Sequence, residues 1–151
     1  DSTNPTLGLT TPIANLVNDA TPSFVFISTE PGTIVYEGAC SSTKTSAVTG
    51  SNEVTLNSLS DGQYTDCRLK VTDSAGNTGV LLLGSFQVDT VAPSLNVTTS
   101  IPSVTRDTTP SFVVDVSEAS TICICSVCFH TGRGVVVLSS CGRRWFLPFL
   151  D

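Results

Sequence analysis

The side chains best suited to chemistry crowd into one short stretch, where Cys123, Cys125, Cys128 and His130 form a C-x-C-x-x-C-x-H run. Thiolates and an imidazole are the ligands zinc prefers, but its protein sites usually draw them from two separated knuckles, and four ligands within eight residues are hard to wrap around a tetrahedral ion. Haem attachment would need a histidine directly after Cys128, and Phe129 intervenes. His130 is the only histidine, and no serine or cysteine sits in a recognisable nucleophile motif. The acidic residues are scattered over turns, and no glycine-rich phosphate loop follows a strand. The chain is therefore expected not to be an enzyme and to require no cofactor.

Charge and hydropathy remove further classes. The formal net charge is −6, and no basic stripe precedes the last 25 residues, which argues against a nucleic-acid partner. No apolar run approaches the roughly 18 residues of a membrane helix. The opening Asp1-Ser2-Thr3-Asn4-Pro5 does not resemble a signal peptide and reads as a mature start or a cut inside a longer protein.

The elements that must position these residues are strands. Charged residues make up only 13% and hydrophobic ones 40%, enough for a core and against wholesale disorder. Abundant Thr, Ser and Val suit pleated, half-buried surfaces. The chain also repeats itself. At a shift of 88 residues, Pro5-Thr6-Leu7 meets Pro93-Ser94-Leu95, and Asp19-Ala20-Thr21-Pro22-Ser23-Phe24-Val25 meets Asp107-Thr108-Thr109-Pro110-Ser111-Phe112-Val113. Glu30, Ile34 and Cys40 meet Glu118, Ile122 and Cys128 without a gap. A unit of this length suits a small β-sandwich of about seven strands. The expected organisation is a complete first unit over 1–90 and a truncated second unit over 91–151, joined at Asp89-Thr90-Val91-Ala92-Pro93. Pro93 biases this link to extended geometry, which makes it short and stiff.

In the first unit, Leu7–Thr10 reads as an edge strand and Ser23–Ser28, apolar on both faces, as a central one. Thr33–Tyr36 and Glu53–Asn57 follow, the latter with Val54 and Leu56 inward. Tyr64–Asp73 reads as one long strand with Cys67, Leu69 and Val71 on one face. Val80–Val88 closes the sheet with Val80, Leu82, Phe86 and Val88 on one side. Turn signals punctuate this period-2 pattern at sandwich spacing. Phe24, Phe26 and Phe86 are expected to be buried. Tyr64, just after a turn, should hydrogen-bond back to it; Tyr36 has no assigned place.

The phrases LSDGQYTDCRLKVTDSAGNTG and FQVDTVAP resemble the bacterial immunoglobulin-like repeats of large surface proteins and adhesins. The shared marks are the D-G-x-Y turn, the V-T-D-x-A-G-N hairpin and the D-T-x-A-P linker, and the resemblance covers residues 5 to about 122. It implies an all-β fold of tandem Ig-like sandwiches in an extracellular setting. In that setting Cys40 and Cys67 are expected to form a disulfide within the first unit, the alternative being two buried free thiols. Cys128 matches Cys40, and Cys141 could stand in for the second partner. The resemblance further implies calcium near domain junctions, at Asp73, Asn77 and Asp89, with Asp107 near the second junction; the bland alternative is that these are ordinary turn residues.

From about residue 129 the correspondence collapses. FHTGRGVVVLSSCGRRWFLPFLD carries three of the five arginines, the only histidine and the only tryptophan. Three readings stay open: a shifted reading frame, a divergent terminus that still supplies strands, or an assembly or anchoring segment. Val135–Leu138 and Trp145–Leu147 could fill a gap in a half-built sandwich, in cis or in trans.

The expected function is a structural or adhesive repeat, a stiff spacer of a bacterial cell-surface or secreted protein. Its partners would be neighbouring Ig-like repeats or copies of itself, with a host or matrix ligand carried on another domain. The alternative is a subunit of an extracellular filament completed by strand exchange between chains.

Overall fold

The computed structural model describes residues 2–104, 106–107, 110–124, 127–141 and 144–146, and their side chains except at 124, 127–129, 139–141 and 144–146. Among these residues the chain is all-β, with sixteen strands and no helix. It divides into two units, Asp1–Val91 and Ala92–Asp151, parted within the proline-containing link.

The first unit holds β1 (Leu7–Thr11), β2 (Leu16–Val17), β3 (Ser23–Ser28), β4 (Gly32–Glu37), β5 (Ser46–Ala47), β6 (Gly50–Thr55), β7 (Gly62–Tyr64), β8 (Arg68–Thr72), β9 (Thr78–Leu82) and β10 (Phe86–Val88). Three sheets result, ordered β1-β3-β6, β5-β4-β8-β9 and β2-β10-β7. Period 2 sets the inner faces. Phe24 and Phe26 of β3 and Val54 of β6 point inward from the first sheet; Ile34, Leu69, Val71 and Leu81 point inward from the second. Phe86, Val88 and Ile13 join the same cluster. Each such side chain, fully buried, is worth roughly 1.5–3 kcal/mol before ordering costs.

Two stretches read from sequence as single strands are broken. Tyr64–Asp73 splits into β7 and β8, which lie in different sheets. Between them Asp66 Oδ1 accepts from Ala39 N at 3.3 Å, and Cys67 is tied to Cys40. Val80–Val88 splits into β9 and β10 at Gly84, whose φ of 81° sits in the left-handed region that favours glycine. That break resets the pattern. Val80 and Leu82 are exposed, while Leu81 and Leu83 enter the core, the reverse of the expected face; Phe86 and Val88 are buried as expected.

The edges of the first two sheets meet at Gly79, where a Cβ would lie 2.0 Å from Pro5 O and 3.4 Å from Leu7 Cγ. Only a residue without a side chain lets β9 approach β1 this closely.

The second unit holds β11 (Leu95–Thr99), β12 (Ser111–Val116), β13 (Ser120–Ile124), β14 (Val127–Thr131), β15 (Gly134–Cys141) and β16 (Arg144–Phe146). Its sheets are β11-β12-β15-β16 and β13-β14. The repeat is physical here. Leu7 faces Ser28 and Leu9 faces Phe26, with an irregularity before Thr11; Leu95 faces Val116 and Val97 faces Val114, with the same irregularity before Thr99. Thr29 N donates to Thr6 O and Ser117 N to Ser94 O, both at 3.1 Å. Thr6 N donates to Thr29 Oγ1 and Ser94 N to Ser117 Oγ, both at 2.9 Å.

The correspondence continues past Cys128, at a different offset. Gly50 faces Ser28 and Thr55 faces Ser23; Gly134 faces Val116 and Ser139 faces Ser111. Gly32 faces Ala47, and Ser120 faces Thr131. Ala47, Gly50 and Thr55 thus have counterparts 84 residues on rather than 88, so the span from Ser120 to Thr131 is four residues shorter than that from Gly32 to Ala47. Gly50 and Gly134 both have positive φ, 94° and 124°. Val127–Thr131 and the first part of Gly134–Cys141 thus take the places of β5 and β6, so this part of the tail belongs to the repeat plan after all. Arg144–Phe146 adds a strand beyond it. No strand among the described residues of this unit takes the place of β8, β9 or β10.

Gly79→Val should destabilise the first unit by about 1–3 kcal/mol, the usual toll of forcing volume into a close contact. Thermal melting followed by circular dichroism reads this out; an unchanged midpoint would show that β1 and β9 are not in contact.

Candidate functional site

Among the described side chains, the groups singled out from sequence fall into separate local structures. Cys40 and Cys67 form a disulfide with a Cα–Cα distance of 5.3 Å, and both residues are buried. Glu37 and Arg68 pair at the ends of β4 and β8, so the bond closes just beyond them and staples one sheet. The disulfide fits an oxidising environment. Beside it, Glu37 Oε2 accepts from Arg68 Nε at 2.6 Å and Glu37 Oε1 pairs with Lys70 Nζ at 2.5 Å. The Lys70 and Arg68 hydrogen bonds hold the Glu37 carboxyl below its ordinary range. Sequence reading missed this trio because its members share one face only once β4 and β8 are in register.

Asp73 organises the β8–β9 turn. Its Oδ1 accepts from Ala75 N and Asn77 N, each at 2.8 Å, and its Oδ2 accepts from Asn77 Nδ2 at 2.8 Å. These bonds, led by that of the Asn77 side chain, lower the Asp73 pKa. Asp89 Oδ1 accepts from Val91 N at 3.3 Å in its own turn. The neighbouring link is fixed by Asp61, whose Oδ1 accepts from Thr90 N at 3.0 Å and Thr90 Oγ1 at 2.8 Å. Asp107 belongs to the second unit. Among the described residues, no group of three or more His, Cys, Asp or Glu is gathered so as to hold a metal. A calcium ion at Asp73 would have to compete with the turn for the same carboxylate.

Cys123 is disulfide-bonded, which removes it as a thiolate ligand in the C-x-C-x-x-C-x-H run. Its register partner across the hairpin is Cys128. The side chains of Cys125, Cys128 and Cys141 lie outside the described ones, and with them the suggested Cys128–Cys141 pairing. His130 Nδ1 lies 3.4 Å from Thr121 Oγ1.

The tyrosines are structural. Tyr64 Oη donates to Ser60 O at 2.8 Å, the return to the turn expected from sequence, and its ring stacks on Phe86 at 5.3 Å. Tyr36 Oη donates to Lys44 O at 2.8 Å, and burial raises its pKa. One polar cleft of about 240 Å³ is lined by Asn15, Gln63, Ser85, Phe86 and Gln87 along the β2-β10-β7 sheet. Its amides come from three separate segments, so no sequence motif announced it. Among the described residues no helix is long and apolar enough to cross a membrane.

No family model, curated protein or solved structure matches the chain.

Two outcomes are expected here. Reducing the Cys40–Cys67 bond should lower the stability of the first unit by about 3 kcal/mol in the chain-entropy model, read as a lower denaturant midpoint; equal midpoints would show the bond adds nothing. Because the Asp73 pKa is depressed in the fold, its contribution is fully present above the ordinary Asp value, about 3.9, and is lost as pH falls through the lower folded value. Asp73→Ala should therefore melt below the parent at neutral pH, with the gap closing in strong acid. A gap independent of pH would remove the carboxylate from the account.

Proposed function

We propose that the chain is a tandem Ig-like β-sandwich module of a bacterial cell-surface or secreted protein, non-enzymatic, acting as a stiff spacer between other domains. The observation that carries this reading is the duplicated strand plan: β1–β3 and β11–β12 share register, irregularity and side-chain hydrogen bonds at one fixed offset. Serial copies of one unit are what a chain uses to gain length. The parallel pairing of β2 with β10 and the buried disulfide support a sandwich able to hold its shape outside the cell. Asp61 and Asp89, both bonded to the segment leading into Pro93, support a braced link. Calcium would enter this reading only as an added stiffener.

A second reading is a filament subunit completed by strand exchange between chains. It is favoured by the apolar side chains that β11 and β15 present at the surface, Leu95, Val97 and Val135.

Electron microscopy of the purified chain separates the two. Isolated particles whose two units keep a constant angle are expected. Fibres would favour exchange, and a wide spread of angles would contradict a stiff spacer.

A further inference from the structure

Gln87 of β10 has Leu16 of β2 beside it on one side and Gln63 of β7 on the other. Paired residues in neighbouring strands share a face of the sheet, and successive residues alternate. Phe86 and Val88 are buried, so the row Leu16-Gln87-Gln63 stands on the outer face, where all three side chains are exposed. Asn15 and Ser85 complete the polar cleft with the two glutamines, over Phe86.

The backbone around this cleft is fixed. Gln87 N donates to Asn15 O at 2.8 Å and Asp89 N to Val17 O at 2.9 Å, which ties β2 to β10. Behind the cleft Phe86 stacks on the ring of Tyr64, and the Tyr64 hydroxyl is held by Ser60. The side chains that line it are not consumed. Among the described residues, none of Asn15, Gln63, Ser85 and Gln87 gives its side-chain amide or hydroxyl to another protein group. Each amide offers two N–H donors and a carbonyl acceptor, and the serine hydroxyl donates and accepts. Free polar groups on a floor already in place hold a ligand at low ordering cost.

We propose that this cleft is a binding site for a neutral saccharide, taking one sugar ring of a glycan. The lining carries no charged side chain, which disfavours phosphates, uronates and other ions. β2 has two residues and β7 three, edges too short for main-chain pairing with an added peptide strand. Neighbouring hydroxyls on a sugar ring each donate and accept, which matches the amides in kind. Leu16, 63% exposed beside Gln87, offers an apolar shoulder for the C–H face of the ring. The cleft, about 240 Å³, is smaller than the roughly 300–1,000 Å³ of sites for drug-sized ligands, which suits a single ring. The site lies wholly within the first unit and does not depend on the spacer role, so its failure leaves the microscopy result untouched.

The test titrates the labelled full chain with lactose, maltotriose and mannobiose, followed by nuclear magnetic resonance. Saturable binding of at least one of them is expected, with a Kd of roughly 1 mM from a few neutral hydrogen bonds. The shifts should gather at the side-chain amides of Asn15, Gln63 and Gln87 and the backbone of Ser85. Gln63→Ala and Gln87→Glu alter exposed side chains and should each weaken binding about threefold to tenfold, the worth of a neutral hydrogen bond or two. Digalacturonate and a tetra-alanine peptide should bind more weakly than the neutral sugar. Absence of saturable binding by all three neutral sugars, shifts gathered away from the cleft, or binding unchanged by both substitutions overturns the proposal. So does tighter binding of digalacturonate or of the peptide, which would give the cleft to an ion or to a protein segment.

Discussion

A strand whose alternate side chains are large and apolar must have a second layer laid over it, and β3, with Phe24 and Phe26 essentially inaccessible, is such a strand. The rest of the first unit follows from that demand. β1 and β6 flank β3 and satisfy its backbone, because a buried strand cannot leave its N–H and C=O groups unpaired. The β5-β4-β8-β9 sheet supplies the cover through Ile34, Leu69, Val71 and Leu81. The disulfide fixes β4 to β8 beside their charged ends, so the covering layer cannot slide. Gly79 then lets the two sheets touch at one edge. β12 repeats the demand with Phe112 and Val114, which cluster with Ile122 of β13 and Leu138 of β15.

Much of this was readable in the residues. Spacing alone placed Phe24, Phe26, Val54, Leu56, Cys67, Leu69 and Val71 inward, and the repeated D-x-T-P-S-F-V block marked the strand that recurs. The failures have specific causes. Val80 and Leu82 do not share a side with Phe86 and Val88 as the alternation predicts, because at Gly84 a left-handed backbone resets the face. Tyr64–Asp73 looked continuous because no local signal shows that the chain changes sheets before Cys67.

The tail's place in the plan was left open for a different reason. GSNEVT and GVVVLS share little beyond the leading glycine and the inward apolar residue, Val54 in one and Leu138 in the other. An ungapped comparison also hides a four-residue shortening in a loop. In the second version Asn52, buried and bonded to Val48 and Gly50, gives way to Val136, and Ser28 gives way to Val116. The tail's apolar run is thus partly a core composition in a strand whose first copy is more polar. Of the candidate ion ligands, Asp73 and Asp89 accept hydrogen bonds from backbone amides within their own loops, as turn residues do.

The central claim is that one half-sandwich plan is executed twice, the second time with residues 134–139 in the role of residues 50–55. Cross-strand proton contacts by nuclear magnetic resonance on the labelled chain test it most directly. The account predicts matched sets of close pairs: Leu9 with Phe26 and Val97 with Val114 on one side, Phe26 with Asn52 and Val114 with Val136 on the other. A register slipped by one residue along β15, or no contact between β12 and β15, would contradict it.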